Sequence, residues 1–404
     1  MNAEQLYQLF IKHPLICTDT RKIAPDSLFF ALKGDNFNGN KFAAYALENG
    51  CAYAVIDEEQ IAGNNPRYIL VDSVLATLQQ LANYHRRQLN IPILSITGTN
   101  GKTTTKELIG KVLSKKFNIG ITQGNLNNHI GVPITILSMT KDTDFGVVEM
   151  GANHLGEIAE LCKIAEPDYG LITNVGKAHL EGFGSLEGVK KTKGELYDYL
   201  ENNNGLAFVN TDDEILVSMS GLRKNLPIQP YSSSLYNVKL SVSNNHSPFL
   251  GFTFKNGINI ETSLLGTYNL NNILAAIAIG EYFEIEEEVI TEAIKSYHPE
   301  NNRSQLIRTK HNSIYMDAYN ANPSSMEAAI NNFSQLNEEN KLLILGDMLE
   351  LGKDSENEHK KVIEQITQQG LNNVWFVGEN FSKVKNNSKY LFFNNIDEVI
   401  EHLT

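Results

Sequence analysis

The chain has 404 residues, 42% of them apolar and 20% charged, with a formal net charge of −13. That length suits about two or three globular domains with sizeable cores. The acidic balance excludes a nucleic-acid partner held by general electrostatics, and an anionic substrate would have to meet locally concentrated positive charge.

The opening run "MNAEQLYQLFIKHPLI" has neither the basic start nor the long apolar core of a signal peptide. Residues 1 to about 85 read as a small α/β unit, with "SLFFAL", "YAVID" and "RYILV" as strands. "LATLQQLANYHRRQL" is a helix whose basic end suits a helix C-terminus. No apolar run approaches roughly 18 residues, so no membrane-crossing helix is expected. Cys17, Cys51 and Cys162 are scattered, without metal-ligand spacing, and read as reduced thiols. A cytoplasmic location is therefore expected.

"NIPILSIT" opens a second unit, in which "ILSIT", "FGVVEM", "YGLIT" and "GLAFVN" are short buried strands separated by helical stretches. That alternation predicts a mostly parallel sheet covered on both faces. Residues 237 to 263 differ, and predict an antiparallel excursion with turns at "NNHSP" and "KNG". "YNLNNILAAIAIGEYF" follows as a buried helix. A third unit starts near Glu300, with "SIYMDAY", "KLLILGD" and "NVWFVG" as strands of a smaller doubly wound sheet. The expected fold is α/β in three domains: 1–85, a central P-loop-type domain 86–299, and a Rossmann-like domain 300–404.

The second unit carries the strongest motif. "ITGTNGKTTTKELIGKVL" (96–113) joins a strand to a helix through two glycines, Lys102 and a row of threonines. Backbone N–H groups and a helix N-terminus at such a joint suit a polyphosphate, with Thr103 placed for a magnesium ion. The full phosphate-loop pattern is not met, because Ile96 stands where a glycine is usual, and a turn with a surface lysine is the bland alternative. Further polar groups end neighbouring strands: Glu149 in "FGVVEMGANH", and Asn174 then His179 in "GLITNVGKAHLEGFGS". A carboxylate and an imidazole are plausible ligands for a divalent ion, the oxygen ligand being the better one for magnesium. Lys190, Lys191 and Lys193 in "GSLEGVKKTKGELY" form either a solvated basic face or part of the site. The loop "GNLNNHIGVP" (124–133) offers amides, as ordinary turns also do. In the third unit, "MDAYNANPSSMEAAI" and "LGDMLELG" put Asp317, Asp347 and Glu350 in strand-to-helix loops.

Taken together, "GTNGKTT", "EMGANHLGEI", "NVGKAHLEGFGS", "GTYNLNNILAA", "DAYNANPSSMEAA" and "LGDMLELG" resemble the Mur ligase family over essentially the whole chain. The short phosphate loop is that family's variant. The resemblance implies an ATP-dependent amide-forming ligase that joins D-alanyl-D-alanine to UDP-N-acetylmuramoyl-tripeptide through an acyl phosphate, with a monomer expected. A D-N-P-R stretch, which a relative adding a diamino acid would carry, is absent. The resemblance also implies residue roles. Gly98, Thr99, Asn100, Gly101, Lys102, Thr103 and Thr104 would hold the ATP phosphates. Thr103 would bind one Mg²⁺, and Glu149 and His179 a second. Lys193 would be carbamylated and face the metal. Asn272 would contact adenine, Asp317 the ribose and Arg303 the γ-phosphate. Thr18, Asp19, Thr20, Arg21 and Lys33 in "CTDTRKIAPDSLFFALKG" would bind the uridine diphosphate. Asn125 and Asn128 would contact substrate, and Asn320, Asn322, Asp347 and Glu350 would lie near the dipeptide. The chain departs from the pattern at Asn38–Asn40, where "NGN" replaces the usual "DGH", and this leaves uridine recognition open. Two other readings remain: a folylpolyglutamate-like amide ligase, against which residues 17–34 speak, and a nucleotide-binding protein without catalysis.

Overall fold

The computed structural model describes residues 3–241, 248–255, 257–300, 302–338, 340–385 and 389–403. The chain first lays down β1 (Ile16–Cys17) and β2 (Leu28–Phe30), then a small antiparallel ladder of β3 (Lys33–Gly34) and β4 (Phe37–Asn38), then β5 (Tyr53–Ile56) and β6 (Tyr68–Leu70). Strands β1-β2-β5-β6, in that order, make a parallel sheet.

The helix Val74–Leu89 starts at Ser73, whose side chain accepts from the Ala76 N–H, and stops at left-handed Asn90. Leu78, Leu81 and Ala82 bury into one apolar cluster with Phe30 and Val55 from the first sheet. Ile93, Ile136 and Leu161 from the second unit join the same cluster. The first two units thus share a core, and residue 85 falls inside the helix that joins them.

The central sheet is built from β7 (Ile93–Thr97), β8 (Ile119–Ile121), β9 (Phe145–Glu149), β10 (Tyr169–Ile172), β11 (Leu206–Asn210) and β12 (Ile228–Tyr231). All pair parallel, in the order β12-β11-β10-β7-β9-β8. Every residue of β7 and β9 is buried, as expected of strands covered on both faces. Successive connections leave β7 in opposite directions, toward β8 and β9 on one side and β10 on the other. The carboxyl end of β7 is therefore the switch point at which open sheets bind ligands.

The antiparallel excursion consists of β13 (Lys239–Leu240), β14 (Phe249–Phe254) and β15 (Ile258–Leu265). Of its two expected turns, residues 244–247 and Asn256 lie outside the described residues. The helix Leu270–Tyr282 is buried without a break from Asn272 to Gly280, which explains its continuous apolar run.

The third unit corrects one expectation. The "SIYM" segment, β17 (Ser313–Met316), pairs antiparallel with β16 (Gln305–Arg308) rather than joining the unit's parallel sheet. Ile314 stays 42% exposed there, so the apolar run marks a hairpin and not a buried strand. The parallel strands are β18 (Leu343–Gly346), β19 (Val374–Val377) and β20 (Leu391–Phe393). Their core of Ile330, Leu345, Ile363, Ile366 and Phe376 also takes in Leu180 from the central unit.

Candidate active site

The loop after β7 is held open by glycines and clamped by the next strand. Gly98 has φ +147° and approaches β10 so closely that a Cβ would lie 2.0 Å from Thr173 Oγ1. Gly101 has φ +77°, and a Cβ there would meet Asn272 Oδ1 at 2.7 Å. The Thr99 N–H donates to the Asn174 carbonyl at 3.0 Å, and the Asn100 N–H to Asn174 Oδ1 at 3.0 Å. Thr173 Oγ1 donates to the Asn100 carbonyl at 2.6 Å. Lys102, the first residue of the helix Lys102–Leu113, curls back so that Nζ donates to the carbonyls of Gly98 and Thr99 at 2.8 and 2.9 Å. Burial lowers its pKa; Glu149 opposes that shift and Arg303 adds to it.

Glu149, at the end of β9, is 1% exposed. Its Oε1 accepts from Thr103 Oγ1 at 3.3 Å and from Asn127 Nδ2 at 2.8 Å, whereas Oε2 is buried without a hydrogen bond. Lys106 Nζ lies 3.7 Å from that second oxygen. His179 is a left-handed residue heading a short helix, and its Nδ1 pairs with Glu350 Oε2 across to the third unit. Burial lowers the His179 pKa, Glu350 opposes this, and Lys102 and Lys193 add to it. Lys193, on the helix Leu186–Asn202, is 2% exposed, with Nζ 5.5 Å from the centre of the Phe183 ring. Burial first, then repulsion from Lys102, brings its pKa down to about 7. No group of three or more His, Cys, Asp and Glu fit for a metal occurs among the described residues. A hard cation would therefore take only one or two protein oxygens and complete its shell with phosphate and water, as magnesium does.

These groups line one cleft of about 690 Å³, whose opposite wall comes from the third unit. Arg303 lies over the Tyr319 ring, 3.7 Å from its centre, and its Nε is buried without a hydrogen bond. Asp317 and Asn320 face the cleft. Asn322 caps the helix Pro323–Ser334 through a capping box and also donates to Asn100 Oδ1 at 2.7 Å, directly touching the phosphate loop. The Lys177 N–H donates to Ser324 Oγ at 3.0 Å, and the Glu181 N–H to the Glu350 carbonyl at 3.2 Å.

Of the residues singled out from sequence, the cleft brings together Gly98 to Lys102, Thr104, Asn128, Glu149, His179, Lys193, Asn272, Arg303, Asp317, Asn320 and Asn322. Thr103 lies just beneath, bonded to Glu149. Asn272 Oδ1 is occupied by Thr105 Oγ1, and its Nδ2 donates to Asn269 Oδ1. Asn128 accepts from the N–H groups of Ile130 and Gly131. Asn125, Asp347 and Glu350 do not line the cleft. Asp347 is turned away from it because its oxygens accept from the N–H groups of Asn380 and Phe381 within the third unit. Thr18, Asp19, Thr20, Arg21 and Lys33 are apart from the cleft, beyond the carboxyl ends of β1 and β2. There Asp19 pairs with Arg21 at 2.7 Å, and Lys33 with Asp57 at 2.8 Å and Glu58 at 3.2 Å. The unusual "NGN" is part of this frame: Asn38 Nδ2 donates to Glu58, and Asn40 Nδ2 to Asp57, both at 2.8 Å. Sequence reasoning missed Asn127, Lys106, Tyr319 and Ser324. Only Lys106 had a signal, its place four residues after Lys102 on one helix face.

Comparison with known proteins covers nearly the whole chain. Residues 14–86 match the model "Mur ligase family, catalytic domain", 96–280 "Mur ligase middle domain" and 302–403 "Mur ligase, glutamate ligase domain". The UDP-N-acetylmuramoyl-tripeptide–D-alanyl-D-alanine ligase of Bacillus subtilis is 37% identical over 390 residues, 93% of this chain and 82% of that one. MurF from Acinetobacter baumannii superposes with a TM-score of 0.87 at 29% identity, covering 100% of this chain and 91% of that one. MurF ligase from Thermotoga maritima in complex with ADP gives 0.84 at 26% identity, covering 96% and 90%.

Proposed function

The chain belongs to the Mur ligase family, and from that premise we propose that it joins D-alanyl-D-alanine to UDP-N-acetylmuramoyl-tripeptide, using ATP. The product is the pentapeptide precursor of peptidoglycan, with ADP and phosphate. The observation that carries the reading is the single cleft that gathers Lys102, Glu149, Lys193 and Arg303 around a glycine-shaped phosphate loop. Lys102 and Arg303 meet the local requirement that an overall charge of −13 imposes on an enzyme of anions.

The loop amides from Gly98 to Thr104 and the Lys102 ammonium bind and orient the ATP phosphates, the ammonium exchanging its carbonyl partners for phosphate oxygens. Arg303, with a buried Nε still unpaired, meets the γ-phosphate. The tripeptide carboxylate oxygen bonds to the γ-phosphorus as the bond to the ADP oxygen breaks. The dipeptide amine, having given up a proton, then attacks the acyl carbonyl, and phosphate leaves as the amide forms. Closed walls keep water from the acyl phosphate. Thr103 fits one magnesium ion, and the unbonded Oε2 of Glu149 with His179 fits a second, which a carbamylated Lys193 would face. Bound there, magnesium would offset repulsion between carboxylate and triphosphate. Lys193 suits carbamylation because a pKa brought down to about 7 raises the share of neutral amine at cellular pH, and only the neutral amine adds CO₂.

We assign uridine diphosphate binding to the 1–85 unit through Thr18, Asp19, Thr20, Arg21 and Lys33. ATP belongs to 86–299, with Asn272 and Asp317 toward the nucleoside. The incoming dipeptide belongs to 300–404, toward Asn320 and Asn322. No helix among the described residues is long and apolar enough to cross a membrane. ATP use and three free buried cysteines support a cytoplasmic reaction.

The test is phosphate release from ATP with each substrate omitted in turn. Release that needs both substrates and yields the UDP-pentapeptide is expected. Release with another amine would change the acceptor. No release with Mg²⁺ and bicarbonate present, from protein that still binds ATP, would favour a non-catalytic nucleotide-binding protein.

A further inference from the structure

Lys106 is a buried charge that the reaction outlined above does not use. It sits one turn beyond Lys102 on the same face of the helix Lys102–Leu113 and is 1% exposed. Lysines are almost never that deep without a partner. Its Nζ makes one long hydrogen bond, 3.4 Å to the Gly124 carbonyl, and stands 3.7 Å from Glu149 Oε2. Glu149 is thereby divided. Thr103 and Asn127 hold Oε1 by hydrogen bonds, while Oε2 has a cation nearby but no hydrogen bond. A direct bond from the ammonium would cover the lone pairs of Oε2. At 3.7 Å it supplies compensating charge and leaves them without a hydrogen bond. Gly124 also begins the loop that carries Asn127, so one lysine braces both the carboxylate and the segment that grips it.

We propose that Lys106 is a positioning residue for metal-nucleotide binding: it fixes Glu149 so that Oε2 is the oxygen offered to the cation. The inference rests on the reading of Glu149 as a cation ligand. A lysine that merely neutralised a buried carboxylate would be needed equally with and without metal.

Calorimetric titration separates the two roles. Mg·ADP, and ADP in EDTA, are titrated into the unaltered protein and into Lys106→Met, Lys106→Gln and Glu149→Gln. Both Lys106 variants should weaken Mg·ADP binding by about ten- to a hundredfold and leave metal-free ADP binding within about twofold, since groups that orient metal ligands act at that scale. Gln keeps a donor for the Gly124 carbonyl without the charge, and it carries the test if the Met variant does not fold. Equal weakening with and without metal, or a Gln variant that binds Mg·ADP like the unaltered protein, would overturn the proposal. A Glu149→Gln protein with undiminished Mg·ADP binding would instead sink the cation-ligand reading itself.

Discussion

The floor of the cleft and its C-terminal wall are built differently. The floor is made by neighbours in one sheet: Thr103, Glu149 and Lys193 are each less than 5% exposed and are placed by β7, β9 and the helices that cover them. The wall is held by contacts between residues far apart in sequence. These are Asn100 with Asn322, Lys177 with Ser324 and Glu358, His179 with Glu350, and Leu180 buried in the third unit's core. A packed floor keeps its geometry before any ligand arrives. A wall held by a handful of polar bonds and one apolar anchor can separate without unmaking either core. Changes to the floor should therefore strike the chemistry, and changes at the seam should strike closure.

The largest effect expected is at the floor. Lys102→Met should lower phosphate release on the order of a hundred- to a thousandfold, the scale of losing one preorganised charge-stabilising donor. Melting temperature should hold within a few degrees. Activity above a tenth of the original would break the contrast. Lys193→Met comes next, with about a hundredfold loss that added bicarbonate cannot restore. The same variant tests the burial. Lys193 has its pKa depressed from 10.5 to about 7 in the folded chain. Between those values the unfolded chain binds more protons, so this group's contribution to stability is complete above about 10.5 and is lost as pH falls toward 7. Denaturation between pH 7 and 9 should show stability rising with pH less steeply in the variant, and identical slopes would refute the buried, neutral lysine.

At the seam, Asn322→Ala should raise KM for ATP several-fold and cost about 1 kcal/mol through the lost helix cap. A fall in kcat as deep as that of Lys102→Met would mean the wall takes part in the chemistry itself. The smallest effect belongs to Lys177 and Glu358, whose pair at 3.1 Å has a lysine side chain 45% exposed. Lys177→Met should cost no more than about 0.5 kcal/mol in thermal stability and change turnover less than twofold.

This contrast also governs what could be read from sequence. The places of Lys102 and Glu149 in the cleft were legible because each lies at the carboxyl end of a strand that the local sequence marks. The pairing of Asn100 with Asn322, 222 positions apart, left no local trace. In "GNLNNHIGVP" the composition marked the loop but not which amide turns inward. Asn127 reaches Glu149, while Asn128 accepts from the N–H groups of Ile130 and Gly131. "SIYMDAY" misled because an apolar run looks alike in a hairpin and in a buried parallel strand, and only its partner β16 distinguishes them. Asp347 misled because a strand-end carboxylate that caps a neighbouring helix has the same sequence context as one facing a ligand.

The core shared by the first two units makes them a gauge. Phe30 and Val55 pack in one cluster with Ile93 and Leu161, so the first sheet and the loop after β7 stand at a fixed separation. A peptide one residue too short would leave its carboxylate about 3.5 Å from the place of reaction. On the proposed placement of the uridine diphosphate, such a gauge would select its substrate by length.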